Sequence, residues 1–250
     1  MKTAGKFFGI GVGPGEPGLI PLVAWQALER CHVIFTPRAS NREGSVARNC
    51  LPPNKIPDER FREIEFSMER DRSGLAARYA ELAEAIGLEL LAGRDVAYLT
   101  LGDPLTYSTY IYALAALKER LPHLRHRTFP GVTSYCAVAA ATGFALGEGK
   151  ERVLVLPCPD LATDLRSMIL NHDVVILLKI GHRLPTVLRL LREIGIAEHC
   201  VFGNHVGMPD ERIYVPVDQI NAEEAGGYLS TMLIRKSAPP ESLKSKTGCR

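Results

Sequence analysis

The run Lys6-Phe7-Phe8-Gly9-Ile10-Gly11-Val12-Gly13-Pro14-Gly15 decides the fold class. Lys6–Val12 is apolar enough to be a buried strand, and the glycines that end it suit a turn in which main chain must pass close to other main chain or to a ligand. Leu19–Arg30 then reads as a helix, with Leu22, Trp25, Ala27 and Leu28 as its apolar candidates, and His32–Thr36 as a second strand. Strand, tight turn, helix and strand in that order make the unit of a mainly parallel α/β sheet with helices on its faces.

Outward from this unit the rhythm repeats. Asp71–Ala92 reads as a long amphipathic helix, Asp95–Leu101 as a strand stopping at Gly102, Tyr107–Arg120 as a helix, Arg127–Phe129 as extended, and Ser134–Thr142 as an alanine-rich helix. After the glycine-rich stretch 143–149 the pattern restarts. Arg152–Leu156 and Asp173–Lys179 read as strands around a helix at Leu161–Leu170, then comes a helix at Leu184–Glu193, then strands at Val201–Asn204, Arg212–Val215 and Tyr228–Arg235. We therefore expect two α/β domains, 1–145 and 146–236, followed by a polar, disordered tail over 237–250. Arg38–Arg72 is charged and broken by Pro52, Pro53 and Pro57; it reads as a solvated loop or as a flap over a ligand.

Composition narrows the function classes. Of 250 residues 46% are hydrophobic, which excludes a disordered chain, and 30 basic against 28 acidic residues leave a net charge of +2. That balance argues against nucleic-acid binding through a broad basic surface, while still allowing a locally basic pocket. The cysteines Cys31, Cys50, Cys136, Cys158, Cys200 and Cys249 form no CxxC pair and read as buried free thiols of a reducing compartment. The first residues lack a signal-peptide core, and no run reaches the roughly 18 apolar residues of a membrane span. The expectation is a soluble cytoplasmic protein with no membrane partner. His123 and His126 have a metal-like spacing but no further ligands nearby, so no metal site is expected.

Three glycine- and hydroxyl-rich loops follow strand ends. The first, Gly9–Gly15, does not satisfy GxGxxG, and no acid ends the second strand (Val33-Ile34-Phe35-Thr36-Pro37), which disfavours a nicotinamide site. GxxxxGK is absent, which disfavours a P-loop hydrolase. The second is Leu99-Thr100-Leu101-Gly102-Asp103-Pro104, followed by Leu105-Thr106-Tyr107-Ser108-Thr109-Tyr110, whose hydroxyls helix capping explains only in part. The third is Phe129-Pro130-Gly131-Val132-Thr133-Ser134-Tyr135. Each alone is as readily an ordinary turn or cap. Together they would line one rim of one sheet, beyond the carboxyl ends of its strands, where open α/β sheets bind ligands.

Five segments then occur in an order that resembles the tetrapyrrole methylase family: GIGVGPGEPGLIPLVAWQAL (9–28), LTLGDPLTYSTYIY (99–112), PGVTSYCAVAAATG (130–143), ILLKIGHRLPTVLRLL (176–191) and NHVGMPDERI (204–213). Within that family the combination of GDP with LTYSTYIY, PGVTS and KIGHRLP is similar to the precorrin-2 C(20)-methyltransferase branch. The resemblance runs over roughly residues 5–236; Glu16 and Pro21-Leu22-Val23-Ala24 depart from the commoner GPGDP and TLKA.

The resemblance implies a two-domain fold, with a mainly parallel sheet in the N-terminal domain and a mixed sheet in the C-terminal one. It also implies an S-adenosylmethionine-dependent methyltransferase of cobalamin biosynthesis, leaving S-adenosylhomocysteine as product, and a homodimer. Its methyl donor would contact Leu101, Gly102, Asp103 and Thr106 at the methionine part, Thr133 and Ser134, Ile180 over the adenine, and Val206, Ser230 and Thr231. Pro14 would border the tetrapyrrole, precorrin-2 or its cobalt form (cobalt-factor II). A substrate with eight carboxylates calls for arginine, and Arg38, Arg42 and Arg48 beyond the second strand are the candidates. A sulfonium methyl group needs no protein nucleophile. Asp103, Tyr107 and His205 are conceivable proton acceptors, and none is assigned. Rival readings are methylation of another ring carbon, a non-catalytic α/β ligand-binding protein, and an α/β nucleotide-binding enzyme; the intact LGDP and PGVTS segments argue against the second, and the missing P-loop and ribose-binding acid against the third.

Overall fold

The computed structural model describes residues 3–40, 43–66 and 72–237, and it divides into two compact units at the Thr133–Ser134 bond. In the first unit β1 (Phe7–Gly11), β2 (Val33–Ala39), β3 (Phe61–Phe66), β4 (Val96–Thr100) and β5 (His126–Phe129) form one parallel sheet in the order β3-β2-β4-β1-β5. Helices α1 (Leu22–Arg30), α2 (Val46–Asn49), α3 (Arg72–Leu91) and α4 (Tyr110–Arg120) cover it.

The alternation along β1 assigns the two faces. Phe8 and Ile10 point to a core shared with Ile34, Ala97, Leu99 and the α1 residues Ala24, Ala27 and Leu28. Phe7 points the other way, to Val33, Tyr98 and the α3 and α4 residues Leu82, Ile86, Tyr110 and Leu117. On that face Gly9 has no side chain because the Tyr110 ring occupies its place: a Cβ there would lie 2.2 Å from the ring carbon bearing the hydroxyl. The Tyr110 hydroxyl is then bonded to Thr128 Oγ1 on β5 at 2.6 Å. Since α1 leaves β1 on one face and α4 leaves β4 on the other, the adjacent strands β1 and β4 flank a topological switch point. It is the place where such sheets bind ligands.

Of Arg38–Arg72, residues 41–42 and 67–71 lie outside the described residues, and the described part includes regular structure where a solvated loop or a flap was expected. It contains α2 and the edge strand β3, paired with β2 from Ile34↔Phe61 to Ala39↔Phe66. Its sequence, Phe61-Arg62-Glu63-Ile64-Glu65-Phe66, is charged because one edge of the strand is free of the sheet and Glu63 and Glu65 are matched to Arg38.

In the second unit β6 (Val153–Pro157), β7 (Val174–Leu178), β8 (Cys200–Asn204), β9 (Arg212–Tyr214) and β10 (Ser230–Arg235) form a mixed sheet in the order β6-β7-β10-β8-β9, parallel only between β6 and β7. One face is covered by α6 (Ala162–Asn171), α7 (Leu184–Glu193) and α8 (Ala222–Ala225), through Leu165, Ile169, Val187, Leu188, Leu191 and Ala225. The other is covered by α5 (Ser134–Thr142), whose Val138 and Ala139 pack on Val174, Ile176, Val201 and Leu233. This packing is why the division falls before α5, whereas the glycine-rich stretch had suggested residue 145. That stretch is itself held to the second sheet: Arg235, 3% exposed, grips both carboxylate oxygens of Glu151 at 2.6 and 3.0 Å and donates to the Ala145 carbonyl at 2.9 Å. The tail beyond Ser237 lies outside the described residues, and among those described no helix is long and apolar enough to cross a membrane.

Cys31, Cys50, Cys158 and Cys200 are buried free thiols, and burial pushes the first two and Cys200 up to about 12; Cys136 is exposed. Replacing Glu151 with alanine leaves the Arg235 guanidinium buried without its counter-ion, so urea unfolding should report a loss near the low end of the about 3–5 kcal/mol typical of a broken buried pair. An unchanged midpoint would show that the pair adds nothing to the unit.

Candidate functional site

At the carboxyl end of the first sheet three loops meet main chain to main chain. Val12 N donates to the Thr100 carbonyl at 3.0 Å and Gly102 N to the Gly13 carbonyl at 2.8 Å, so the loops after β1 and β4 run together as a short bridge. The loop after β5 closes on them. A Cβ on Gly131 would lie 2.0 Å from the Gly102 carbonyl oxygen, and one on Gly11 would lie 2.6 Å from the same atom. Gly102 has a φ of 71°, and its own Cβ would meet nothing nearer than the Val132 oxygen at 3.9 Å. Gly102 is itself buried, with room beside its Cα where a side chain would stand.

Asp103 fastens these loops. Oδ1 accepts from Leu105 N at 2.9 Å and Thr106 Oγ1 at 3.1 Å, and Oδ2 accepts from Gly131 N at 3.1 Å, 28 residues away. A carboxylate has about four acceptor sites, so Oδ2 retains capacity for a cationic or hydrogen-bonding ligand. The hydroxyls that follow are used within the fold: Ser108 Oγ accepts from Tyr110 N at 3.0 Å, and Thr109 Oγ1 is paired with the Tyr98 hydroxyl at 2.9 Å. Local structure thus accounts for Thr106, Ser108 and Thr109, more of the hydroxyl-rich run than capping alone suggested. Thr133 differs, since its Oγ1 is buried with no hydrogen-bond partner among the described residues. Such an atom costs about 1–3 kcal/mol unless a ligand satisfies it.

The second unit has a comparable rim. Because β10 runs antiparallel to β7 and β8, its start lies beside their ends, and three segments converge there: 178–183, 204–207 and 226–231. Gly227 O accepts from Gly181 N at 2.9 Å and from Ser230 Oγ at 2.5 Å, Asn204 Nδ2 donates to Tyr228 O at 2.5 Å, and His205 N to Leu229 O at 3.1 Å. Lys179, His205 and Leu229 all have positive φ, between 47° and 53°. Left-handed backbone costs a non-glycine residue roughly 1–2 kcal/mol, so this lattice of bonds holds strain at one place.

Of the residues expected to hold a methyl donor, Leu101, Gly102, Asp103, Thr106 and Thr133 lie at the first rim; Pro14, expected to border the tetrapyrrole, is buried in its glycine loop. Ser134, Ile180, Val206, Ser230 and Thr231 belong to the second unit. There Ser134 Oγ and Thr231 Oγ1 are bonded to one another at 2.8 Å. Ile180, expected to cover the adenine, is fully buried within the core of the second unit, so its side chain is not presented at the surface of this corner. Arg38 is committed to Glu65 at 2.7 Å and Glu63 at 3.3 Å; Arg48 is committed to Asp58 at 2.6 Å and stacks on Phe61 at 4.3 Å. Arg42 lies outside the described residues. His205 Nδ1 is 2.6 Å from Asp210 Oδ2, while its Nε2 is buried without a partner among the described residues. Tyr107 is exposed. Sequence reasoning passed over Gly227 and Arg183; the paired glycines just before β10 and the basic residue inside KIGHRLP were the available signals.

The first rim fits a donor of the S-adenosylmethionine kind: an unsatisfied threonine hydroxyl and a carboxylate suited to a cationic group. Comparisons with known proteins agree with this architecture. Residues 6–221 match the model of the Tetrapyrrole (Corrin/Porphyrin) Methylases. The chain is 27% identical over 234 residues to a cobalt-precorrin-2 C(20)-methyltransferase of Salmonella typhimurium, covering 93% of this chain and 97% of that one. It is 29% identical over 241 residues to a probable cobalt-precorrin-2 C(20)-methyltransferase of Methanocaldococcus jannaschii, covering 94% and 98%. It is 26% identical over 237 residues to a precorrin-2 C(20)-methyltransferase of a Sinorhizobium species, covering 92% and 95%. Among solved structures, a cobalt precorrin-4 methyltransferase superposes with a TM-score of 0.68 at 20% identity, covering 92% and 94%. A Thermus thermophilus uroporphyrin-III C-methyltransferase complexed with S-adenosylhomocysteine does so with 0.61 at 17%, covering 92% and 97%.

Two glycine substitutions separate close approach from ordinary helix propensity. Gly131→Ala should destabilise by at least about 2 kcal/mol in thermal or urea unfolding, since main chain must move to admit the methyl group. Gly87→Ala in α3, where a Cβ meets the Arg120 and Leu121 side chains at ordinary contact distances of 3.7 to 3.9 Å, should stabilise by about 0.5–1 kcal/mol. Equal effects from both would contradict the packing of the three loops.

Proposed function

The chain belongs to the tetrapyrrole (corrin/porphyrin) methylase family, and from that premise we propose that it transfers the methyl group of S-adenosylmethionine to carbon 20 of the precorrin-2 skeleton in cobalamin biosynthesis. The observation that carries the choice of carbon is near-full-length similarity to relatives named for C(20) methylation. Some of those names include cobalt and one does not, so the substrate is stated as the skeleton they share. The family resemblance extends the proposal to a cytoplasmic homodimer.

S-adenosylmethionine, when bound, supplies a methyl group already activated on a sulfonium sulfur. The protein's part is then placement. Leu101 and Gly102 offer main chain at an edge with no side chain in the way, and Asp103 brings a negative charge to the positively charged methionine end. The Thr133 hydroxyl gains in the complex the partner it otherwise lacks. The family resemblance adds Ser134, Ile180, Val206, Ser230 and Thr231 of the second unit as further donor contacts; Ser134 Oγ and Thr231 Oγ1 are bonded to one another there. Holding the reacting atoms in line is worth effective molarities of about 10⁵–10⁸ M, which suits a site with no assigned nucleophile or base. For Arg38 and Arg48 to meet substrate carboxylates, they would have to exchange Glu63, Glu65 and Asp58 for them.

Incubation with S-adenosylmethionine and precorrin-2, metal-free or cobalt-bound, should add one methyl group by mass spectrometry, and carbon-13 spectroscopy should place it on carbon 20. Methylation elsewhere would keep the reaction class and remove the ring-position assignment. Asp103→Ala, which deletes three hydrogen bonds to the loops, should weaken S-adenosylhomocysteine binding about tenfold or more in calorimetric titration. Undiminished affinity would remove this loop from the site.

A further inference from the structure

Lys179 and Gly181 both have positive φ, 53° and 57°, and between them Ile180 is helical and fully buried. The chain therefore changes handedness twice around one fully buried residue, with Lys179 exposed and Gly181 half-buried on either side of it at this corner. Arg183 spans it. Its Nη1 donates to the carbonyls of Lys179 and Ile180, each at 3.3 Å. The rest of its guanidinium is held by Asp160 after β6, with Nε at 2.7 Å and Nη2 at 2.6 Å from Oδ1. From another direction Gly227 receives Gly181 N, and a Cβ on Gly227 would lie 1.8 Å from the Gly181 oxygen.

We propose that Arg183 is a positioning residue for the methyl donor: locked by Asp160, it fixes the Lys179–Gly181 main chain against which the adenine end of the donor is bound. This rests on the donor reading of the corner given above. The fork geometry matters, because one planar guanidinium reaches two carbonyls and a carboxylate together, whereas a lysine ammonium is a single point. The residues that follow, Leu184, Val187, Leu188 and Leu191, are buried in the core of the second unit on their own account. Asp160, in contrast, is 65% exposed. Loss of the pair should therefore disturb the corner more than the fold.

The test compares full-length Arg183→Met, Arg183→Lys and Asp160→Asn with the unchanged protein, by calorimetric titration with S-adenosylhomocysteine and by steady-state kinetics. For Arg183→Met the dissociation constant and the KM for S-adenosylmethionine should each rise about tenfold, with kcat at saturating donor lowered less than about threefold. Arg183→Lys should recover part of the affinity, and Asp160→Asn should weaken it in the same direction by about threefold. An Arg183→Met dissociation constant within about twofold of the original, or a fall confined to kcat, would overturn the proposal. If Arg183→Met does not fold, Asp160→Asn decides: unchanged affinity there overturns it equally. Failure of the unchanged protein to bind S-adenosylhomocysteine would remove the donor reading and this role together, whereas binding that is insensitive to the substitutions would remove the role alone.

Discussion

The carbonyl oxygen of Gly102 stands so close to Gly11 and Gly131 that neither can carry a side chain. The approach follows from strand order: β4, β1 and β5 are neighbours in a parallel sheet, so the loops leaving them emerge side by side and must share very little space. Absence of side chains solves the packing problem and creates another, because main-chain N–H groups in a tight crossing need partners. Asp103 supplies them, at Leu105 and at Gly131. An anionic side chain is thus fixed at the switch point of the sheet for reasons internal to the fold. The same fixation gives it a defined position toward a cationic ligand.

The second unit reaches a similar result by other means. Its rim is assembled from two strand ends and one strand start, which antiparallel pairing of β10 brings together. There, left-handed residues that carry side chains join glycines in turning the chain sharply. Lys179, His205 and Leu229 carry this strain, and hydrogen bonds from Arg183, from His205 N and from Asn204 hold the segments in place. Glycine is needed at Gly227 because it crosses over the Gly181 carbonyl.

Much of this was legible in the sequence wherever one side chain's character decides the outcome. Apolar runs located β1, β4, β7 and β10, and glycines after strands marked the crossing loops. The strand β3 was not legible, since its alternating charges look like a loop until Arg38, 27 residues from Glu65, is seen beside them. The arginines illustrate the same limit: a sequence shows that Arg38 and Arg48 are positive, but not that acidic side chains already neutralise them. Ile180 was visible as an apolar residue in a conspicuous motif, while the direction of its side chain depends on φ values that only the folded corner specifies. Arg183 was hidden for a related reason, because its meaning lies in carbonyl groups and in Asp160, 23 residues earlier. The glycine-rich stretch 143–149 read as a domain boundary; Arg235, 90 residues from Ala145, ties it to a sheet.

The strand made last in the second sheet lies at its centre. β10 separates β7 from β8, so neither has its full set of neighbours until Ser230–Arg235 arrives. A growing polypeptide therefore leaves the ribosome with every strand of the first sheet available, while the second still has a gap in its middle. Over that interval Val174, Ile176, Phe202 and Leu177 have no apolar partner across the gap, and chaperone binding or aggregation competes with closure. A premature stop shortly before Ser230 would remove only a small part of the chain and yet take away the keystone of half the protein.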